Sequence, residues 1–178
     1  MDDYARPMRV QRAQKPISQR HLATLARSLL RESKLCAIAT VNRDGSAHIN
    51  TAYFAYGERF EIVWVSAPQA RHSRNIRERS RIAIAVFDST QTWGRDDRGI
   101  QLFGTARVLG GRAVDDAQRV YVKRFPGATE IGKMYRFYQF RPRRMKLFDE
   151  AKLGGATWVT ARVGAAGALR WERTERYV

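Results

Sequence analysis

The sequence predicts a mainly β fold of the α+β type: a small closed or nearly closed antiparallel barrel of six or seven strands with flanking helices. Short apolar runs are separated by residues that favour turns, and segments with a helical repeat of 3.6 residues lie between or outside these runs. Strands joined by tight turns are antiparallel, and strands that are apolar on both faces need cover on both sides. A barrel with flanking helices meets both requirements.

The 178 residues suit a single domain, and 44% hydrophobic with 28% charged residues are typical of a globular chain. We expect a flexible arm over residues 1–15, the barrel domain over 16–163, and a tail over 164–178 with the capacity to add a strand. No apolar run has the length of a membrane span, and the first residues lack a signal-peptide pattern. With one cysteine, Cys36, the sequence gives no reason to invoke an oxidising compartment, so a cytoplasmic location is predicted.

Three helices are predicted. The first begins after Ser18, a favoured N-cap residue, and carries one apolar stripe: Leu22, Leu25, Ala26, Leu29 and Leu30. A short polar helix follows the VWVS run. The third spans Val114–Phe125, with acidic residues in its first turn, basic residues in its last turn, and Pro126 to end it.

Seven apolar runs are predicted as strands. Asp44-Gly45 forms the hairpin turn between the first two, and Gly104, in the middle of the fifth, predicts a bulge or a sharp bend. The seven runs cover residues 35–41, 47–56, 60–66, 81–88, 99–109, 135–149 and 157–163.

The chain is strongly basic, with 33 Lys+Arg against 17 Asp+Glu and a net charge of +16. Such a charge favours a polyanionic partner, namely nucleic acid, anionic lipid or a phosphorylated cofactor. Codon bias in an arginine- and alanine-rich proteome explains the positive charge equally well. The basic residues are densest over Arg71–Arg81 and Arg136–Lys146, and neither stretch is an unbroken basic tail.

The sequence gives no signal for a metal centre or a nucleophilic enzyme. His21, His48 and His72 are far apart, no CxxC pattern is present, and Cys36 lies in an apolar run. There is no GxSxG elbow, P-loop or GxGxxG turn. Haem ligation by His48 or His72 stays open as an alternative.

An anion site is predicted between Ser66 and Ile76, where a strand ends and a helix begins. Free backbone N–H groups at the helix start, the Ser66 hydroxyl, and the side chains of Arg71 and His72 suit a phosphate. Arg71, Arg74 and Arg77 lie at helical spacing and repel one another, which a bound phosphate would relieve. The alternative, weighed equally on these residues alone, is that Glu78 pairs with Arg74 and the helix face is merely solvated.

The order of these segments resembles the pyridoxamine 5'-phosphate oxidase-like FMN-binding split β-barrel family, over about residues 18–163. RHSRNI at 71–76 and RGIQLFGTARVL at 98–109 are the most specific pieces. KRFP, RPRRMKLFDE and GGATW resemble an uncharacterised bacterial branch of that family. The resemblance implies a split-barrel homodimer with FMN at the subunit interface.

The same resemblance implies a set of cofactor contacts. Ser66 takes the phosphate-binding hydroxyl position, Arg71 the arginine position, and His72 stands where the authentic oxidases have lysine. Ala70 replaces a Ser or Thr, which removes one hydroxyl contact. The resemblance implies that the ring system contacts the segment of Asn50 and Thr51 and the side chain of Gln101. Trp158 is either a contact of the ring or of the dimer, or an ordinary core tryptophan.

The C-terminal signature that holds pyridoxal phosphate in the authentic oxidases is not recognisable in LRWERTERYV, so the chain is not expected to be that enzyme. The predicted function is an FMN-dependent oxidoreductase acting on an unknown small molecule. Alternatives are a deazaflavin- or haem-binding barrel, a non-catalytic flavin carrier, and a basic nucleic-acid-binding barrel. The last is disfavoured, because Phe54, Phe60 and Trp64 fall in predicted strands as core and leave no evident stacking row.

Overall fold

The computed structural model describes residues 8–13 and 15–178. This part of the chain holds nine strands, four helices and a short 3-10 turn at Ala165–Gly167. The strands are β1 Val10–Ala13, β2 Leu35–Val41, β3 Ala47–Tyr56, β4 Ile62–Ser66, β5 Arg81–Phe87, β6 Arg98–Val108, β7 Arg136–Asp149, β8 Thr157–Val163 and β9 Leu169–Tyr177. The helices are α1 Gln19–Glu32, α2 Arg71–Glu78, α3 Arg112–Arg124 and α4 Glu150–Leu153.

Six of the strands close into an antiparallel barrel in the order β7-β4-β3-β2-β5-β6, because β6 also pairs with β7. The predicted barrel is therefore confirmed. The 14-residue β7 connects the barrel to the rest of the sheet. Its first part, Arg136–Phe140, pairs with β4, and its later part, Arg144–Phe148, pairs with β8, while β6 follows its other edge.

Beyond β8 the sheet continues through β9 to β1. Val10–Ala13, within the segment expected to be an arm, pairs antiparallel with the end of β9, which lies in the segment expected to be a tail. All four β1 side chains are exposed, so the strand has no apolar alternation that would reveal it in the sequence. Its pairing depends on a partner far along the chain.

The core lies inside the barrel and under α1. The Ser18 hydroxyl accepts a hydrogen bond from the His21 amide at 3.3 Å, and the five stripe residues of the predicted first helix are all buried. Cys36 is buried among the same residues, and desolvation raises the pKa of its thiol to about 12. No helix in the described ranges is both long and apolar enough to cross a membrane.

The bulge predicted at Gly104 is confirmed. The β6–β7 register shifts between Phe103, opposite Arg144, and Gly104, opposite Pro142. A Cβ atom at Gly104 would overlap the carbonyl oxygen of Arg141, so the close approach of the two backbones requires glycine.

A second, smaller core lies between α3 and the barrel wall. It is formed by Ala55, Val63, Leu109, Ala117, Tyr121 and Phe137. The helix α3 begins at Arg112, two residues before its predicted start. The four-residue α4, which the sequence did not predict, is capped by the buried side chain of Asp149, which accepts from the Lys152 amide at 3.2 Å.

Candidate functional site

The barrel opens between β3 and β4, and α2 packs at that opening. Pairing between the two strands covers only Phe54–Tyr56 and Ile62–Trp64. Within the described chain, the rest of β3 pairs with β2 alone, and the end of β4 pairs with β7 alone. The helix α2, which follows β4 in the chain, contacts β2, β3 and β6. The segment predicted to hold an anion therefore lies at the split in the barrel.

Ser66 is the last residue of β4, and α2 begins five residues later at Arg71. Ser66 is buried, and its hydroxyl oxygen lies 3.5 Å from that of Ser73 in the first turn of α2. Ala70, at the N-cap position, gives no side-chain hydrogen bond to the helix. The backbone N–H groups that begin α2 thus lack the side-chain acceptor that commonly caps a helix.

Arg71 is exposed at the start of α2. In the part of the chain that the structure describes, neither Arg71 nor Arg74 forms an ion pair with a carboxylate, so the alternative pairing of Arg74 with Glu78 is not present. Ser46 lowers the pKa of Asp44 through hydrogen bonds, and Arg71 adds a smaller coulombic contribution. The positive charge at the start of α2 is therefore not cancelled by a direct carboxylate contact.

His72 is placed differently from Arg71. Its side chain is buried, with 5% of the residue exposed, and its Nε2 atom has no hydrogen-bond partner among the described residues. Burial lowers the pKa of His72, and His48 lowers it further. Burial therefore favours the uncharged ring, which can donate one N–H hydrogen bond to a phosphate but carries no positive charge.

Polar contacts that the sequence did not single out fix α2 against the β2–β3 hairpin. The amide nitrogen of the Asn75 side chain donates to Thr40 Oγ1 at 3.0 Å and to Asn42 Oδ1 at 2.9 Å. Arg79, just after the helix, donates to the carbonyl oxygens of Asn42 and Arg43. The side chain of Asn75 is buried, and it was visible in the sequence only as part of RHSRNI.

Thr51 and Gln101 share one face of the sheet. Thr51 pairs with Ala37, Ala37 with Ala85, and Ala85 with Gln101, so the four residues form one row across β3, β2, β5 and β6. At about 4.8 Å between neighbouring strands, the row is about 14 Å long. It lies on the outer side of the barrel, since the next residues along β2, β5 and β6 are buried in the core.

Asn50 points to the other side of β3. It pairs with Ile38, which faces the core, and its side-chain nitrogen donates to the backbone oxygen of Thr51 at 2.9 Å. Because the side chains of neighbouring strand residues point to opposite faces, Asn50 and Thr51 cannot both present their side chains to one ligand on the same face. The structure therefore groups Thr51 with Gln101 and separates Asn50 from them.

The outer side of this sheet is unusually apolar. We call it the alanine face and define it by Ala37, Ala39, Ala83 and Ala85 with Thr51 and Gln101. Exposed large apolar side chains surround the four alanines, with Ile49 at 68% and Tyr53 at 58% exposure as the largest values. The others are Leu35, Val41, Phe87 and Phe103. Contiguous exposed apolar surface of this kind marks a binding or interaction site.

Trp158 lies beside the alanine face rather than in the main core. Its ring packs against Phe148 at a centroid distance of 4.2 Å, and Lys146 Nζ lies 4.4 Å from its centroid. Lys146 is directly opposite Gln101 in the β6–β7 ladder. Trp158 is therefore close to the predicted ring-binding row and partly exposed.

The residues fit the two halves of FMN in their chemistry. The start of α2 offers uncapped N–H groups, the Ser66 hydroxyl and Arg71 to a phosphate. The alanine face offers a surface with short side chains, bounded by Thr51 and Gln101, to a flat ring. Among the residues described, no three His, Cys, Asp or Glu side chains lie close enough together to hold a metal ion.

Comparison with solved structures gives the same fold at low sequence identity. A protein of unknown function from Agrobacterium tumefaciens superimposes with a TM-score of 0.63 at 21% identity, covering 70% of this chain and 55% of that protein. A haem-binding protein from Mycobacterium smegmatis gives 0.66 at 17% identity, covering 82% of this chain and 59% of that protein. This chain thus spans less than two thirds of the length of either protein.

A protein from Clostridium acetobutylicum, related to general stress protein 26 and described as of the pyridoxinephosphate oxidase family, gives a TM-score of 0.60 at 14% identity. The match covers 83% of this chain and 97% of that protein. No match was found among curated proteins. The family model described as pyridoxamine 5'-phosphate oxidase matches residues 22–149, from the first buried leucine of α1 to the end of β7. The chain therefore belongs to the pyridoxamine 5'-phosphate oxidase family.

Proposed function

We propose that the chain is an FMN-binding oxidoreductase that acts on a small molecule at the interface of a homodimer. The observation that carries the proposal is the start of α2, where uncapped backbone N–H groups, the Ser66 hydroxyl and the exposed Arg71 lie together at the split in the barrel. This is the chemistry that a phosphate monoester requires.

The alanine face supports the other half of the proposal. Alanine side chains let a flat ring approach the strands closely, and the surrounding Ile49, Tyr53 and Phe103 would be withdrawn from water by a second copy of the chain. In a two-fold dimer each subunit contributes the same patch, so a single apolar face on each chain is sufficient to form the interface.

Bound flavin supplies hydride transfer, and the protein binds and orients it. In this assignment Arg71 neutralises the phosphate, and the Ser66 hydroxyl donates to a phosphate oxygen. Gln101 and Thr51 offer side-chain hydrogen bonds at the two ends of the row, which is about 14 Å long, or about three strand spacings. The apolar side chains around the row exclude water. His72, which is buried in the first turn of α2 and has a lowered pKa, would add an N–H group to the phosphate site without a positive charge.

The test is to add FMN to the purified protein, remove the free cofactor, and record the visible spectrum together with the molar mass in solution. A retained flavin band on a dimer supports the proposal. A protein that keeps no FMN, or that keeps it only as a monomer, contradicts it. Turnover with NADH or NADPH and a panel of acceptors then separates an oxidoreductase from a flavin carrier.

Haem is the second candidate, supported by the fold likeness to the haem-binding protein of Mycobacterium smegmatis. Against it, the Nε2 atom of His72, one of its two possible iron ligands, is buried. His48 is only partly exposed on the inner side of β3. A Soret band after addition of haem, absent from a His48→Ala variant, would favour this candidate over FMN.

A further inference from the structure

We propose that a small cavity beside the start of β4 binds a free aliphatic amino acid as its zwitterion. The cavity has a volume of about 340 Å³, at the lower end of the range of about 300–1,000 Å³ that is usual for small-molecule pockets. We call it the fork cavity. It is lined by the β3–β4 turn at Arg59 and Glu61, by β7 at Arg141 and Pro142, and by Val163 with the β8–β9 turn at 164–167.

The fork cavity is separate from the proposed cofactor site. None of its lining residues belongs to the alanine face or to the start of α2. Glu61 directly precedes β4 and Ser66 ends it, so at about 3.3 Å per residue the two lie about 16 Å apart along the strand. The inference therefore goes beyond the proposed function and does not depend on whether the chain binds FMN.

The cavity arises where β7 changes partners. Its residues up to Phe140 pair with β4, and those from Arg144 onward pair with β8, so residues 141–143 pair with neither strand. Pro142 lies in this gap and, because it has no N–H group, leaves no amide donor unpaired there. One edge of β7 is thus open between the two strands, and the β3–β4 and β8–β9 turns border the opening.

Close contact between these two turns fixes the rim of the cavity. A Cβ atom at Gly167 would lie 2.6 Å from the Cα atom of Arg59, so the approach of the two backbones requires glycine, and the φ of 79° at Gly167 favours it as well. In the β3–β4 turn, the backbone oxygen of Glu58 accepts a hydrogen bond from Arg27 Nη2 on α1 at 2.7 Å. The rim is therefore formed before a ligand arrives, which lowers the entropic cost of binding.

Three charged side chains line the fork cavity, and among the described residues none of them forms an ion pair: Arg59, Glu61 and Arg141. A hydrogen bond from the Arg59 amide to Oε2, at 3.0 Å, holds the Glu61 carboxylate on its own turn. Arg141 Nε donates to Gln139 Oε1 at 3.2 Å, which uses one of its five N–H donors. Two positive charges and one negative charge thus surround one cavity without a direct contact that would neutralise them.

A zwitterionic amino acid matches this arrangement better than a simple anion does. Guanidinium groups bind a carboxylate in a bidentate manner, and an ammonium group forms a charge-assisted hydrogen bond with a carboxylate. The Glu61 carboxylate would repel a phosphate or a simple carboxylate, but it would attract the ammonium group of an amino acid. Pro142, Val163 and the alanines of the β8–β9 turn form the apolar part of the lining, which suits an aliphatic side chain.

Titration calorimetry on the full chain tests the proposal with leucine and with two analogues that each lack one charged group. Isocaproate lacks the ammonium group, and isoamylamine lacks the carboxylate. We expect leucine to bind at least tenfold more tightly than either analogue. Valine, which has a shorter side chain, is measured alongside. Failure of both amino acids to bind would overturn the proposal, and so would isocaproate binding as tightly as leucine.

Two arginine variants locate the binding. Arg59→Gln and Arg141→Gln are expected to weaken leucine binding at least fivefold, because each removes a guanidinium group from the cavity. Arg20→Gln, at an exposed position of α1, makes the same change in net charge and is expected to leave the affinity unchanged. Melting temperatures show which variants fold, and if one cavity variant does not, the other decides the test. Equal weakening in all the variants would show a general charge effect and would contradict the assignment.

Glu61→Gln tests the zwitterion itself. The glutamine side chain keeps an oxygen that can accept from the Arg59 amide, but it loses the charge that attracts an ammonium group. We expect leucine to bind more weakly and isocaproate more tightly, a pair of opposite changes that a merely structural role would not produce. Glu58→Gln, exposed in the same turn and outside the cavity lining, is the matched control. Weakening of both ligands in Glu61→Gln would overturn the assignment.

One further pair of measurements separates the fork cavity from the start of α2. Arg71→Gln is expected to leave leucine affinity unchanged, and loss of leucine binding in that variant would place the ligand at α2 and overturn the assignment. FMN retention by Arg59→Gln, measured in parallel, keeps this test distinct from that of the proposed cofactor.

Discussion

The guanidinium group of Arg124 lies over the ring of Phe54, 4.3 Å from its centroid. Arg124 ends α3, Phe54 lies in the barrel core, and the same guanidinium also donates to the backbone oxygens of Leu30 at 3.0 Å and Ser33 at 2.6 Å. These two oxygens are at the C-terminal end of α1. One arginine thus joins two helices and the barrel, and it completes the hydrogen bonding of a helix end from a distant part of the chain.

Replacing this arginine should destabilise the protein. Arg124→Met keeps an apolar stem but loses the two hydrogen bonds from a charged donor and the cation–π contact, so we expect a loss of about 2–3 kcal/mol in the free energy of unfolding. Urea denaturation measures it. Arg119→Met on the same helix, whose side chain is exposed and pairs with Asp116, is the control and should change stability by less than about 1 kcal/mol. Equal losses in the two variants would contradict this role of Arg124.

The start of α2 gives a direct test of the phosphate assignment. Arg71→Gln should weaken FMN binding by roughly 1.5–3 kcal/mol, the range for a hydrogen bond to a charged group. Fluorescence titration of FMN measures the affinity, and Arg20→Gln serves as the control for net charge. Unchanged FMN affinity in Arg71→Gln would remove Arg71 from the site.

The alanine face is expected to form the dimer contact. Ala85→Arg introduces a charged side chain in the middle of the row that joins Thr51 to Gln101, where a partner subunit or a ring would bury it. We expect light scattering to show a monomer that no longer retains FMN. Ala151→Arg, the same substitution at an exposed position of α4, should leave both properties unchanged. A dimeric, flavin-retaining Ala85→Arg variant would exclude this face as the interface.

Gly104→Ala should destabilise the barrel, because the added methyl group overlaps the Arg141 carbonyl oxygen across the β6–β7 bulge. A forced contact of this kind costs about 1–3 kcal/mol. Thermal and urea unfolding measure the change. Gly110→Ala, at a position with open space around it, is the matched control and should be close to neutral. If Gly104→Ala is as stable as Gly110→Ala, the two backbones do not approach each other closely at this bulge.

His72 should make stability depend on pH. Burial holds the pKa of His72 below the 6.5 of a free histidine, so the unfolded chain takes up a proton at a higher pH than the folded chain does. Stability should therefore fall as the pH drops from about 7 to 5. In His72→Gln this part of the dependence should disappear, as seen by urea unfolding at several pH values. The His21→Gln variant, at an exposed position, is the control and should retain the pH dependence of stability. If the free energy of unfolding of His72→Gln depends on pH as strongly as that of the unmodified protein, the burial of this ring is contradicted.

Local signals predicted most of the fold. Ser18 and the leucine stripe predict α1, and Asp44-Gly45 predicts the first hairpin, because in both cases the cause lies in neighbouring residues. Gly104 marks the bulge in the sequence, although the backbone that requires a glycine there, at Arg141, is distant in the chain. The strand β1 was not predicted, since its four exposed side chains carry no pattern and its partner β9 is at the other end of the chain. The helix α4 consists of only four residues, and its main signal is the Asp149 cap.

The site was predictable only in part, for a similar reason. The residue types at the start of α2 indicate an anion site without any structure. The sequence leaves open whether Glu78 neutralises Arg74, and the structure shows no such pair within the described ranges. The row from Thr51 to Gln101 depends on the register of four strands, and the inward position of Asn50 depends on the same register. Neither is contained in a local pattern.

The buried thiol of Cys36 makes the protein convenient for spectroscopy. It is the chain's single cysteine, and with a pKa of about 12 it remains a thiol and unreactive at neutral pH. A cysteine introduced at any exposed position would then be the sole site of maleimide or spin-label attachment. Distances between labelled subunits of the proposed dimer, with and without FMN, would then become measurable while the native residue at position 36 stays in place.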